Sequence, residues 1–139
     1  MPMPTQPLRI LVADDNVDAA ETLASILELS GHLTLVANDG LSAVAAAAEF
    51  IPDVVFLDIG MPGLNGYEVA LRLRAIPELE QVVLLALTGW GSENDHAQAS
   101  AAGFDFHLTK PVQFDVVNSL LAGLANPRPP RDGRLQVVH

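Results

Sequence analysis

The chain has 139 residues, with 17 acidic and 7 basic side chains, and its formal net charge is −10. That length suits a single domain, and no apolar run approaches the roughly 18 residues that a membrane-spanning helix needs, so we predict no membrane segment. Residues 1–125 hold four basic side chains against sixteen acidic ones, which excludes the basic surface that direct nucleic-acid binding requires.

The first part of the chain, residues 1–7, is rich in proline and has neither a basic nor an apolar leader. It predicts a flexible N-terminus and, without an export signal, a cytoplasmic protein. Five short apolar runs follow, of the kind found in strands that are buried on both faces of a parallel sheet. The predicted strands are 8–13, 33–37, 54–57, 82–87 and 104–108.

Helical segments alternate with these strands. The first begins at a cap provided by Asn16 or Asp18 and ends at Gly31. The other four predicted helices are 41–50, 67–75, 93–102 and 114–124.

This alternation predicts an α/β fold, a doubly wound five-stranded parallel sheet with five helices covering both faces. The domain is expected to span residues 8–125. Residues 126–139 contain three prolines and three arginines without a helical period, and they predict a flexible tail.

Four of the five predicted strands end on a polar residue that could take part in chemistry. These residues are Asp14 with Asp15, Asp58, Thr88 and Lys110, the only lysine of the chain. Because the carboxyl ends of strands in a doubly wound sheet open onto one crevice, we expect the five side chains in one site. Taken singly, the acidic residues could be helix caps or turn formers, and the lysine could be a surface charge. Coincidence is a poor explanation for such residues at the ends of four strands.

The residue types in this set favour phosphoryl transfer. Clustered carboxylates repel one another, and Mg²⁺, which is typically held by one or two carboxylates plus waters and a phosphate, removes that cost. Lys110 can pair with a carboxylate or with a phosphate oxygen, and an aspartate can accept a phosphoryl group. The Thr88 hydroxyl can donate to a phosphate oxygen, and Gly89 leaves that approach open.

The stretches around these residues resemble the receiver domains of bacterial two-component response regulators. The matching segments are 10–16, 55–66, 86–89 and 108–111, and the resemblance covers about residues 8–125. It implies a flavodoxin-like (β/α)5 fold. It also implies that Asp58 is the phosphoacceptor, that Asp14 and Asp15 organise Mg²⁺, and that the main-chain carbonyl of Gly60 completes the protein's share of the metal ligands.

The same resemblance assigns the binding of phosphoryl oxygens to Thr88 and Lys110, and it implies a cis peptide bond between Lys110 and Pro111. Family members often carry a switch tyrosine or phenylalanine three residues before the lysine, where this chain has His107. We hypothesise that His107 couples with Thr88, and that its charge state matters near neutral pH.

The resemblance implies a signalling domain that catalyses its own phosphorylation and dephosphorylation, rather than an enzyme. The donor is expected to be a histidine kinase or a histidine phosphotransfer protein, and the fourth helix, fifth strand and fifth helix are expected to carry the switch to an unknown protein target. Single-domain regulators and the receivers of hybrid histidine kinases are the most similar members. The apolar faces of the first and last helices are candidates for a homodimer surface.

Two alternatives stay open. A haloacid-dehalogenase-like phosphatase also uses an aspartate and Mg²⁺, but it places a second aspartate two residues further on, where this chain has Gly60. A receiver-fold interaction module that is not phosphorylated usually lacks an acidic residue or the lysine, and this chain has kept them all.

Overall fold

The computed structural model of the chain describes residues 7–89, 93–124 and 136–138. Within these ranges, six parallel strands form one sheet in the order β2-β1-β3-β4-β5-β6. The strands are β1 (Arg9–Ala13), β2 (Leu33–Ala37), β3 (Val54–Asp58), β4 (Val83–Thr88), β5 (Phe106–Thr109) and β6 (Gln136–Val138). The helices are α1 (Val17–Leu29), α2 (Gly40–Phe50), α3 (Gly66–Arg74), α4 (Glu93–Ala102) and α5 (Phe114–Leu124), with a short 3₁₀ helix at Pro77–Leu79.

The predicted fold class is confirmed, and all five predicted strands and five predicted helices lie within two residues of their expected bounds. The longest described helix, α1, has 13 residues, which is too short to span a bilayer. Asn16 caps α1, as one of the two predicted candidates, because its side chain accepts a hydrogen bond from the Ala19 N–H.

The sixth strand differs from the expectation. The sequence predicts five strands and a flexible tail over 126–139, yet Gln136–Val138 pairs in parallel with β5. Three residues are too few to show the alternation of a strand in the sequence. The pairing can be recognised only once β5 is known to lie at the edge of the other five strands. The rest of that tail, and residues 1–6 of the predicted flexible N-terminus, lie outside the described residues.

The sheet separates two apolar cores. One core lies between the sheet and helices α2, α3 and α4, and it includes Leu57, Leu73 and Phe104. The other lies between the sheet and helices α1 and α5. The strand β3 is buried along its whole length and contributes side chains to both cores, so its last residue, Asp58, lies at the end of the central packed strand.

The apolar faces of α1 and α5 are part of the second core. Leu23 and Leu27 of α1, with Val117 and Leu121 of α5, are at most 5% exposed. These side chains therefore pack against the sheet, and a homodimer through α1 and α5 stays a prediction.

Arg74, at the end of α3, joins three parts of the fold. Its guanidinium donates hydrogen bonds to the Gly103 carbonyl at 3.0 and 2.8 Å and to the Val82 carbonyl at 2.7 Å. It also forms an ion pair with Asp105 at 2.8 Å, and the same Asp105 oxygen accepts a hydrogen bond from the Leu84 N–H at 3.0 Å. Arg74 thereby fixes the turn between α4 and β5 against β4.

His32 directly precedes β2, so it lies at the opposite end of the sheet from the carboxyl ends of the parallel strands. The residue is 8% exposed, and its Nδ1 atom accepts a hydrogen bond from the Leu8 N–H at 3.1 Å. An imidazole that accepts at Nδ1 is neutral with its proton on Nε2. Burial lowers the pKa of His32 from its ordinary value of 6.5, which agrees with a neutral ring.

We expect His32 to make the fold sensitive to mild acid. The unfolded chain binds a proton at a higher pH than the folded chain does, so the stability that the neutral ring provides is complete above pH 6.5 and is lost as the pH falls below it. Urea unfolding of the wild type and of His32→Gln, measured from pH 7.5 down to pH 5, isolates this effect. Parallel pH profiles for the two proteins would contradict it.

Candidate functional site

Three carboxylates meet at the carboxyl ends of β1 and β3. Asp14 and Asp15 directly follow β1, and Asp58 is the last residue of β3. One oxygen from each of the three lies within 4.8 Å of the others. Asp14 and Asp58 are 3% and 7% exposed, whereas Asp15 is exposed. The structure therefore brings together the three acidic residues that the sequence predicts.

Backbone hydrogen bonds hold Asp14 in place. Its N–H donates to the Ala37 carbonyl of β2 at 3.1 Å, and its side chain accepts from the Asn16 N–H at 2.9 Å. The Asn38 side chain donates to the Asp14 carbonyl at 2.9 Å. These contacts leave the second carboxylate oxygen of Asp14 available to a cation.

That second oxygen faces Lys110. The Lys110 Nζ atom lies 3.2 Å from Asp14 Oδ2 and 3.5 Å from Asp58 Oδ1. The Lys110 N–H donates to the Thr88 carbonyl at 2.7 Å, and the peptide bond between Lys110 and Pro111 is cis, as the resemblance implies. The lysine is thus fixed at its backbone, and its charge lies between two carboxylates.

The pKa of Asp58 is raised from 3.8 to about 6, mainly by burial. Contacts with Asp15 and Asp14 raise it further, whereas the Gly60 N–H, which donates to Asp58 Oδ1 at 3.1 Å, and the charge of Lys110 lower it. Three carboxylates beside one lysine leave an excess of negative charge. Positive charge added to the site would lower the pKa of Asp58.

The donor set fits Mg²⁺. Carboxylate oxygens are the hard ligands that this ion prefers, and it commonly uses only one or two of them together with waters and a phosphate. Asp14, Asp15 and Asp58 offer such oxygens within a few ångströms of one another. The raised pKa of Asp58 shows that its ionised form is unfavourable in this site. A bound divalent cation would stabilise that ionised form.

Two glycines shape the loop after Asp58. A Cβ atom at Gly60 would meet only Asp58 Oδ1, at 3.8 Å, so packing does not demand glycine there. A Cβ atom at Gly66 would lie 2.8 Å from both the Asp58 carbonyl oxygen and Ile59 Cα. Gly66 therefore allows α3 to begin directly against the loop that follows Asp58. The glycines and prolines of that loop predict irregular structure, but they do not predict this close approach.

Thr88 is the last residue of β4 and is 8% exposed. Its neighbour in β5 is Thr109, immediately before Lys110. Gly89 is exposed, and a Cβ atom there would meet no described atom within 4 Å. Thr88 and Gly89 thus lie at the same strand ends as the acidic cluster.

His107 is buried in β5 with 1% of its surface exposed. It pairs with Ala86 of β4, and its ring makes an edge-to-face contact with His96 of α4 at a centroid distance of 4.5 Å. The structure therefore places His107 against α4. The hypothesis that it couples with Thr88 stays a prediction.

Comparison with known proteins assigns most of the chain to a known domain family. The family model of the response regulator receiver domain matches residues 10–122. Protein PilH of Pseudomonas aeruginosa is 36% identical over 119 residues, which cover 83% of this chain and 98% of the relative. The probable transcriptional regulatory protein TcrX of Mycobacterium tuberculosis is 37% identical over 81% of this chain, but the match spans only 47% of TcrX.

Solved structures agree. The chemotaxis protein CheY4 of Vibrio cholerae superposes with a TM-score of 0.79 at 25% identity, covering 83% of this chain and 96% of that one. The receiver domain of sensor histidine kinase PA1611 of Pseudomonas aeruginosa, solved with a magnesium ion in its active-site cleft, also has a TM-score of 0.79 at 25% identity, over 87% and 99% of the two chains. The chain belongs to the response regulator receiver domain family of two-component signalling systems.

Proposed function

We propose that Asp58 accepts a phosphoryl group from a phosphohistidine donor in a reaction that requires Mg²⁺ held by Asp14, Asp15, Asp58 and the carbonyl of Gly60. The observation that carries the proposal is the convergence of three carboxylates and the only lysine of the chain at one strand edge. A module that kept only the receiver fold would have no need for this costly arrangement of charge.

The residues divide the work of the transfer. An ionised Asp58 oxygen attacks phosphorus, the bond between phosphorus and the donor's histidine nitrogen breaks, and an aspartyl phosphate forms. Lys110 and the Thr88 hydroxyl bind the phosphoryl oxygens as charge shifts onto them. Bound Mg²⁺ supplies positive charge that offsets the negative charge of the phosphoryl group and the carboxylates.

The position of Gly60 argues against a phosphatase of the haloacid-dehalogenase type. Such an enzyme needs an acid two residues after its nucleophile, and glycine has no side chain to provide it. The chain is a signalling domain, and we propose that the same cluster supports the loss of the phosphoryl group as well as its uptake.

We propose that the donor, a cytoplasmic histidine kinase or histidine phosphotransfer protein, approaches over a groove of about 770 Å³ beside the site. Ala19 and Leu23 of α1 form one wall of the groove, and Val112 and Phe114 form the other. Asp14 and Lys110 line it as well, so a helix placed there would bring its histidine close to Asp58.

The proposal is tested by incubating the chain with acetyl phosphate and Mg²⁺ and measuring the mass of the intact protein. We expect a single acid-stable, base-labile phosphoryl group on the wild type. None is expected on Asp58→Asn or in the presence of EDTA. The variant is a matched control because asparagine keeps the shape of the side chain and removes the nucleophile.

A missing adduct on the wild type has two explanations, rapid hydrolysis and a silent module. Beryllofluoride binding in the presence of Mg²⁺, followed by NMR, separates them because it does not depend on the lifetime of the phosphate. Failure to bind beryllofluoride would overturn the proposed function.

We further expect the switch to act on α4, β5 and α5, through an unknown protein target, and His107 to transmit it. Replacing His107 by alanine removes its contact with His96, so the chemical-shift changes that phosphorylation causes in β5 and α5 should shrink. His96→Ala removes the same contact from the other side and should have a similar effect. If His107→Ala leaves those shift changes as they are in the wild type, the coupling role fails.

A further inference from the structure

The strand β6 covers the edge of β5 that faces away from β4. Residues 106–108 pair in parallel with Gln136–Val138, and His107 lies opposite Val137. In the described sheet, β5 would be the edge strand without this pairing. Neither the phosphoacceptor site nor the family match over residues 10–122 accounts for it.

The edge of β5 is well suited to strand addition. The strand Phe106–Thr109 contains no proline and no charged residue, and charges and prolines are the features that usually protect an edge from pairing with another segment. If β6 left this edge, the N–H and C=O groups that face it could pair with another extended segment lying alongside. Because β6 is only three residues long, few hydrogen bonds hold it there.

Charge favours a basic segment at this edge. Residues 1–125 carry four basic side chains against sixteen acidic ones, whereas residues 126–139 carry three arginines and one aspartate. The segment that supplies β6 is therefore opposite in charge to the domain it joins. Opposite charges attract over a distance that salt shortens.

We propose that the edge of β5 is a binding site for an extended, basic segment of a partner protein, added as a parallel strand, and that the chain fills this site in cis with Gln136–Val138. The partner segment resembles the chain's own, with arginines followed by β-branched apolar residues. It competes with β6 for the edge. The proposal does not depend on phosphorylation.

Binding at this edge would act on the strand that carries His107 and leads into Lys110. Lys110 follows β5 directly and its N–H is bonded to the Thr88 carbonyl, while His107 packs against His96 of α4. A partner strand that replaces β6 therefore touches the element that carries both contacts.

The first test uses the full chain with Val137→Pro, which removes a backbone donor from the middle of β6. Val137→Thr is the control because it keeps a strand-forming side chain. Amide hydrogen exchange measured by NMR should be about tenfold or more faster for β5 amides in Val137→Pro than in the wild type or the control. The β4 amides serve as the internal reference for a folded sheet. Equal protection of β5 in all three proteins would overturn the proposal.

The second test adds a synthetic peptide with the sequence of residues 131–138. It should shift β5 resonances of Val137→Pro in a saturable manner, less so at high salt, and several-fold less in the wild type, whose edge is filled. The same peptide with proline at the position of Val137 should cause no shift. The proposal of a partner segment is overturned if the peptide shifts the β5 resonances of neither protein. It is also overturned if sedimentation shows that Val137→Pro forms a dimer by itself.

Discussion

In metal-free buffer at neutral pH, the Asp58→Asn variant is expected to be more stable than the wild type by up to about 3 kcal/mol. The fold holds the Asp58 carboxyl in a buried position beside two other carboxylates, which raises its pKa to about 6. Ionising it in the folded chain therefore costs more than ionising it in the unfolded chain. Asparagine keeps an oxygen that can accept the Gly60 N–H and has no charge to bury.

The advantage of the variant should depend on pH with a definite sign. Between pH 3.8 and about 6 the folded wild type binds more protons than the unfolded chain does, so its free energy of unfolding falls as the pH rises through that interval. The difference between variant and wild type should thus be small near pH 4 and complete above pH 6.

Urea unfolding in EDTA at pH 4, 5, 6 and 7.5 measures this difference. Repeating the series with Mg²⁺ should reverse the order, because the ion stabilises the folded wild type through ligands that the variant has lost. A variant that is less stable than the wild type at pH 7.5 in EDTA would show that burial of Asp58 carries no electrostatic cost.

Replacing Arg74 by methionine is expected to lower the free energy of unfolding by about 3–5 kcal/mol, because the change leaves the charge of Asp105 without this partner in a largely buried place. The Arg74 and Asp105 side chains are 14% and 15% exposed. The carbonyls of Val82 and Gly103 lose their guanidinium donors as well. Methionine retains much of the length and apolar contact of the arginine stem, so the loss reports on the polar contacts.

Arg72 provides the control, since it belongs to the same helix and is exposed. Arg72→Met should change the free energy of unfolding by well under 1 kcal/mol. Arg74→Lys should fall between the two, because an ammonium keeps the charge and loses the planar fork that reaches several acceptors. Equal urea midpoints for Arg72→Met and Arg74→Met would contradict the role assigned to Arg74.

The strands and the acidic cluster could be predicted because local sequence carries their signal. Each strand of the first five is an apolar run, and each site residue stands where such a run ends. In a parallel sheet that position alone determines which edge a side chain reaches. Hence Asp14, Asp58 and Lys110 could be assigned to one site without any contact being known.

The remaining features depend on contacts between residues far apart in the chain, which local patterns do not contain. Arg74 reads as an exposed helix residue until Gly103 and Asp105 are placed beside it. His32 similarly meets Leu8 across two strands. The edge position of β5, which allows β6 to form, is a property of the whole sheet.

Along its described side chains, residues 96–102, helix α4 contacts the rest of the molecule through small buried side chains and through the ring of His96. Along residues 96–102, the buried side chains are Ala99 and Ala102, whereas α1 buries Leu23 and Leu27. A methyl group contributes only about 0.8 kcal/mol when it is buried, so the described part of α4 loses less apolar burial on moving than α1 does. We therefore expect a perturbation of a few kcal/mol at the neighbouring strand ends to be enough to move α4.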